Sequence, residues 1–150
     1  MLVTNHVLSG AVVGALVRRP LLAVPAGIAS HFLLDAAPHW GQWRDERHFM
    51  RIAVADGLTG LAAMGAIAAL AAPERRAAVV AGMFGAALPD VDKPTHVFFG
   101  FSPFPDAVNR LHQRVQDEAA HRFWSHELPA ALGFAGAFAA LALRRSRTRA

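Results

Sequence analysis

The residues able to do chemistry in this chain are histidines and carboxylates. There are 8 His and 11 Asp or Glu, and no Cys. Imidazole nitrogen with carboxylate oxygen, and no sulfur, is a donor set for zinc, manganese, iron or similar divalent ions. Their spacing sharpens this. His31 and Asp35 are four apart, which on a helix stacks one above the other on a single face. His39 would extend that face by a turn, but Pro38 ends the helix first. Asp90 and Asp92 flank Val91 just after Pro89. In an extended turn the two carboxylates point the same way and suit a chelating or bridging pair. His121 and His126 are five apart, too far round for one helix face. They converge only if a helix begins near Ser125, with Ser125 as N-cap and Pro129 in the first turn.

Something must position these groups, and the composition says what. Hydrophobic residues make up 54% and charged residues only 17%, which excludes a disordered charged tail. Without cysteine the chain is neither a disulfide scaffold nor a thiolate enzyme. One domain over residues 1–150 is expected at this length. The mean hydropathy of +0.30 is high for a soluble domain. The apolar residues fall into five blocks: Leu2–Val17, Leu21–Ala37, Ile52–Ala72, Ala77–Leu88 and Leu128–Leu143. Each is longer than an ordinary strand and rich in Ala and Leu, so each is expected to be a helix. Only Ile52–Ala72 reaches the roughly 20 residues that cross a bilayer core. The others fit a membrane if they tilt, thin the bilayer or line a cavity. The opening residues lack a positive leader and carry Asn5-His6, unlike a cleavable signal peptide.

The fold expected is therefore all-α: a membrane-embedded bundle of about five helices. A soluble Ala-rich bundle is the alternative, decided by whether the protein extracts without detergent. Small residues at Gly10, Gly14, Gly133 and Gly136 would let helices approach closely, and Pro25 would kink the second helix. Two linkers are longer, His39–Arg51 and Val91–Ser125. The second opens on an aromatic stretch, Val97–Phe104. It continues into Asp106–Ala119, a short amphipathic helix carrying Val108, Leu111 and Val115.

Alternating the five helices up and down sorts the polar residues. Arg18-Arg19, Arg75-Arg76 and the terminal Arg144, Arg145, Arg147 and Arg149 share one side. The other side collects His6, then His31, Asp35 and His39, then Asp56, then Asp90 and Asp92, then His121 and His126. All three tryptophans (Trp40, Trp43, Trp124) fall there, with Phe49, Phe98, Phe99, Phe101, Phe104 and Phe123. These aromatics form either an interfacial belt or the mouth of a site for an apolar substrate. Each polar residue has a plain reading. A lone helical His is usually a packed core residue, Leu88-Pro89-Asp90 is an ordinary helix stop, and Asp56 favours a helix dipole. His48, His96 and His112 read as loop or surface histidines. Arg110, Arg114, Asp117 and Glu118 read as the wet face of the amphipathic helix. What the plain readings leave unexplained is the gathering of so many potential ligands at one end. Ionisable residues at a membrane are costly and therefore suggest function.

Four stretches carry a resemblance to a known family: Thr4-Asn5-His6, Ser30-His31 through Asp35 to Pro38-His39, Leu88-Pro89-Asp90-Val91-Asp92, and His121-Arg122 through Ser125-His126. Together, over about residues 4 to 130, they resemble the small bacterial membrane-bound metal-dependent hydrolases. This is the YdjM-like group, also described as LexA-binding inner membrane-associated hydrolases. The resemblance implies a helical membrane protein with a hydrolase-like metal site. Its implied ligands are His31, Asp35, Asp90, Asp92, His121 and His126, joined by His6 and Asp56. Members often carry Thr-His-Ser at the last element, where this chain has Ser125-His126-Glu127. Glu127 is then an added acid/base or a carboxylate at a helix start.

The function expected is metal-dependent hydrolysis of a phosphoester or ester, lipid-like in view of the aromatic mouth, by a metal-activated water. One or two divalent ions fit, zinc first, with manganese, iron or magnesium as alternatives. A carboxylate not used as a ligand, among Asp35, Asp56 and Glu127, would serve as general base. The partners expected are membrane lipid and a small or lipid-like substrate. No nucleic acid is expected, since the terminal arginines suffice as topogenic flanks. The positive-inside rule puts the arginine ends in the cytoplasm of a multi-pass protein of the bacterial inner membrane, with the site facing outward. The competing class is a non-catalytic membrane metal-binding or transport protein. A conduit needs polar groups through the bundle, and the third and fifth segments offer almost none past Asp56 and His126.

Overall fold

Prolines and arginines mark where the helices begin and turn. The structure, a computed structural model, describes residues 1–41 and 44–146. Its long helices are α1 (Val3–Val17), α2 (Pro20–Asp35), α3 (Glu46–Leu70), α4 (Pro73–Ala87) and α7 (Leu128–Ser146). Pro20 and Pro73 open α2 and α4, where a missing N–H costs no hydrogen bond. Arg18 closes α1 in the left-handed conformation, with φ 64°, and its N–H reaches the Gly14 carbonyl at 3.0 Å. Each long helix covers one of the five expected apolar segments. The largest shift is in α3, which begins six residues ahead of Ile52. Asp45 caps it there by accepting from the His48 N–H at 2.8 Å.

Helix α4 is the axis on which α1 and α2 pack. Gly10 and Gly14 of α1 meet Gly82 and Ala78 of α4 in reverse order, so the two helices run antiparallel. A Cβ on Gly82 would collide with the Gly10 carbonyl, and one on Gly27 of α2 with the Gly82 carbonyl. Only glycine admits backbones this close. The same expectation fails for Gly133 and Gly136, where an added Cβ would meet nothing within 4 Å. Helix α7 instead joins the core through Phe138 and Leu141.

The alternation of ends is realised. Thr4 of α1 lies beside Asp56 of α3, while Ala15, Ala71, Val79 and Phe138 meet in the core further along. Helices α1, α3 and α7 therefore run the same way. The Arg75 guanidinium donates to the Ala15 carbonyl at 3.0 Å, which ties Arg75 to the end where α1 closes on Arg18. Trp43, Arg147 and Arg149 lie outside the described residues.

Among the described residues one helix is long and apolar enough to cross a membrane, Arg47–Leu70, and 11% of its apolar window is buried. At 1.5 Å per residue it spans about 36 Å, whereas the 15 and 16 residues of α1 and α2 span only about 23 Å. Large apolar side chains also remain uncovered elsewhere, with Leu21 90% and Leu33 73% exposed on α2.

The second linker is more ordered than expected. A 3₁₀ turn, Leu88–Val91, runs directly into α5 (Asp92–Phe99), which takes in the start of the aromatic stretch, Val97–Phe99, and is closed by Gly100 at φ 74°. Helix α6 (Asp106–Val115) is the expected amphipathic helix, but it stops short of Ala119. Residues Asp117–Glu118 leave as β2 to pair in parallel with β1 (Pro38–His39). Helix α7 begins at Leu128, not Ser125. A five-residue π turn, Phe123–Glu127, precedes it, and Ser125 Oγ lies 2.8 Å from His126 Nδ1 without capping a helix.

Candidate metal centre

Five elements at the end opposite Arg75 bring His6 (α1), His31 and Asp35 (α2), Asp90 (the 3₁₀ turn), Asp92 (α5) and His112 (α6) together. Asp35 is at the middle. Its Oδ1 lies 3.1 Å from His6 Nε2 and 2.7 Å from the Met1 amino group. Its Oδ2 lies 3.1 Å from His31 Nε2 and 3.0 Å from His112 Nε2. The two imidazole nitrogens are themselves 3.0 Å apart, and His112 Nε2 is 3.7 Å from Asp90 Oδ1. The His6 and His31 rings stack at 3.9 Å. His6 and His31 are 0% exposed, Asp35 1% and His112 4%. The four-residue step from His31 to Asp35 does on α2 what helical geometry requires.

The protonation pattern favours a cation. His31 Nδ1 donates to the Ala86 carbonyl at 2.8 Å, which in the neutral imidazole leaves Nε2 with a lone pair. That lone pair faces Asp35 Oδ2, another acceptor, at 3.1 Å. Two acceptors this close need positive charge between or beside them. His6, His31 and Asp90 each offer a ligand atom within 4.8 Å of the others. So do His31, Asp35 and His112, and so do Asp90, Asp92 and His112. Ligand bonds of about 2.0–2.2 Å bring donors to roughly such separations. His6 Nδ1 and Asp92 Oδ1 are buried with no hydrogen-bond partner. A sulfur-free set of imidazoles and carboxylates with two orphaned atoms fits a divalent metal.

Lys93 Nζ lies 2.7 Å from Asp90 Oδ1. Burial alone would raise the Asp90 carboxyl. Lys93, His6 and His31 outweigh it and hold the group down at about 2. For Lys93, burial works against the charge, but Asp90, Asp35 and Asp92 more than offset it, and its pKa is raised.

Several expected site residues stand elsewhere. Asp56 Oδ2 accepts from the Val3 N–H at 2.6 Å, and its Oδ1 accepts from the Thr4 N–H at 3.2 Å and from Thr4 Oγ1 at 2.6 Å. It caps α1, which has no side-chain cap of its own. Glu127, 2% exposed, accepts from Asn5 Nδ2 at 2.6 Å and the Trp40 N–H at 3.2 Å. Neither joins a donor group with the imidazoles among the described residues, so neither is placed as a base beside them. His121 is exposed and His126 half-buried. Neither joins a donor group among the described residues, because the π turn replaces the helix start on which their convergence depended. Asp90 and Asp92 are not presented by an extended turn. Val91 and Asp92 have helical backbones; Asp90 meets His6 and His31 as well as His112, and Asp92 joins the cluster beside Asp90 and His112. His39 is fully buried but bonds the Ala37 carbonyl through Nδ1 at 2.9 Å, beside the β1–β2 pairing.

His112 is the member of the cluster that sequence reasoning missed. The signal was present: it lies four residues after Val108 and three before Val115, on the apolar stripe of α6.

A cavity of about 470 Å³ adjoins the cluster and shares Asp90 and Lys93 with it. Apart from these, Asp56 and Met1, its walls are apolar, with Phe49, Leu58 and Phe98 among them. The aromatic set therefore divides. Phe49 and Phe98 line the cavity, while Phe99 and Trp124 lie on the outer surface at 73% and 75% exposure.

A sequence model of the YdjM family, described as YdjM inner membrane protein, matches residues 53–150. The matched stretch contains Asp90, Asp92 and His112, while His6, His31 and Asp35 precede it. No curated protein and no solved structure matches the chain.

Proposed function

The chain belongs to the YdjM inner membrane protein family, and from that premise and the donor cluster we propose that it is a membrane-embedded, metal-dependent hydrolase. The observation that carries the reading is Asp35, buried and ringed by three imidazoles from three different helices. The Met1 amino group answers Oδ1, while Oδ2 faces only the His31 and His112 nitrogens, a pairing that is costly to bury without further positive charge. His6, His31, Asp35, Asp90 and His112 would hold one divalent ion. Asp92, with its orphaned oxygen, stands ready for a second or for proton transfer. A divalent ion held there supplies Lewis acidity toward a phosphoryl or carbonyl oxygen and a bound water of pKa about 7.

The residues of the chain supply the rest. The Ala86 carbonyl holds the His31 tautomer. The apolar cavity, walled in part by α3, excludes water and receives an acyl or other hydrophobic portion of an ester or phosphoester. In the multi-pass reading, α1, α2, α4 and α7 accompany α3 in the bilayer, the arginine ends are cytoplasmic and the cluster faces outward. The non-catalytic transport reading finds less support. Beyond His6 the described bundle core is Val7, Ala11, Ala15, Val79 and Met83, and the one buried polar side chain there, Ser9, donates to the His6 carbonyl, which gives an ion little to follow.

Metal analysis of detergent-purified protein tests this, beside Asp90→Asn and His31→Ala. We expect a stoichiometric metal in the wild type, depleted in both variants while helicity is retained. Equal metal in all three would refute the centre. Catalysis is tested by a screen of phosphoesters and lipid esters with and without chelator, and turnover that survives chelation would refute the metal-dependent step.

A further inference from the structure

Lys93 is the only lysine in the chain and the only basic side chain among the described residues that line the cavity. Its ammonium occupies the same Asp90 oxygen, Oδ1, that faces His112. Asp90 belongs to two of the three donor groups. An ammonium and a divalent ion cannot both sit on that oxygen without strong repulsion. The Lys93 side chain is 40% exposed, and its flexible stem gives the ammonium somewhere to go. The open side is the cavity, whose one other acidic lining group besides Asp90 is Asp56. That carboxylate is already engaged by the start of α1.

We propose that Lys93 is a displaceable counter-ion: a divalent ion that takes Asp90 releases the ammonium into the adjoining cavity, where it receives the negative group of an anionic amphiphile. The inference rests on the reading of the donor cluster as a metal centre. It adds a ligand class, a negatively charged head on an apolar body, and a coupling. The apolar walls take the body, and Lys93 takes the head only after the metal has freed it. Metal and amphiphile must then tighten each other's binding by the same factor.

The test measures zinc affinity by competition with a chromophoric chelator, on the full chain in an uncharged maltoside detergent. Dodecyl phosphate is the anionic probe and dodecanol the neutral one, each also titrated against zinc without protein. Lys93→Met should bind zinc about tenfold more tightly than wild type, a change of about 1.4 kcal/mol. Dodecyl phosphate should tighten zinc binding several-fold in the wild type and in Lys93→Arg, and not in Lys93→Met, while dodecanol changes nothing. Gly57 lies on the cavity wall with open space around it, so Gly57→Phe fills the cavity without touching a donor. It should keep wild-type zinc affinity and lose the coupling. Equal zinc affinity in wild type and Lys93→Met overturns the proposal, as does coupling that survives Lys93→Met or Gly57→Phe. Should Lys93→Met not fold, the contrast between dodecyl phosphate and dodecanol on wild type and Gly57→Phe decides alone. A wild type that binds no zinc or other divalent ion overturns the metal centre itself, which is a distinct result.

Discussion

Asp35 and Asp90 lie among imidazoles and two ammonium groups, those of Met1 and Lys93, whereas Asp56 and Glu127, at the same end of the bundle, are taken up largely by backbone and amide N–H groups around the start of α1. All four are carboxylates near a helix end, and a reading by residue type treats them alike. Their partners separate them. A carboxylate that accepts from backbone amides has its charge answered by groups that cannot leave without unwinding a helix. A carboxylate facing imidazoles and a lysine has partners that protons or a cation can replace. The first kind anchors the scaffold and the second can do chemistry.

Substitutions sharpen the contrast. The largest effect is expected from Asp35→Ala, which removes the group shared by three imidazoles. The metal-to-protein ratio measured by elemental analysis should fall to near zero, while Glu127→Ala should retain the metal if it folds. Next, His112→Ala should weaken metal affinity at least about 10–100-fold in a chelator competition, since losing an outer-shell partner alone costs that much. His126→Ala should leave the affinity unchanged, and the reverse order would break the comparison. Glu127→Gln should keep the metal but lower stability by about 1–3 kcal/mol, read from thermal unfolding in detergent, because the amide keeps one acceptor oxygen and so loses one of the two buried bonds, to Asn5 or to Trp40. Asp56→Ala should cost about 0.5–2 kcal/mol in the same assay, the range for a lost helix cap. The smallest effect belongs to Asp117→Asn. This exposed carboxylate pairs with Arg122 at 2.7 Å, and neither metal content nor melting should change measurably.

Much of this molecule was legible in its residues. The apolar blocks, with Pro20 and Pro73 as helix openers, located the long helices within a few residues. The exception was α3, where Asp45 supplied a cap that extended the helix back through polar residues. Gly10 and Gly14 announced a close helix contact, though Gly133 and Gly136, three apart, have open space where a side chain would be. The alternation of apolar segments was enough to place His6, His31, Asp35 and Asp90 at one end. The four-residue step between His31 and Asp35 was enough to align that pair.

What a single sequence could not supply was the destination of each polar side chain. His112 and His126 both follow apolar or aromatic stretches, yet one is buried against Asp35 and the other turns toward Ser125. That choice depends on where α6 lands on α2 and on a π turn before α7, and both are outcomes of packing between distant segments. Helix period and hydrophobic pattern are local properties, set by the residues within a turn or two, so the sequence by itself determined the helices and their polar end. Coordination and capping depend on distances of about 3 Å between groups many residues apart. Only the tertiary structure decided which carboxylates would face imidazoles and which would cap α1.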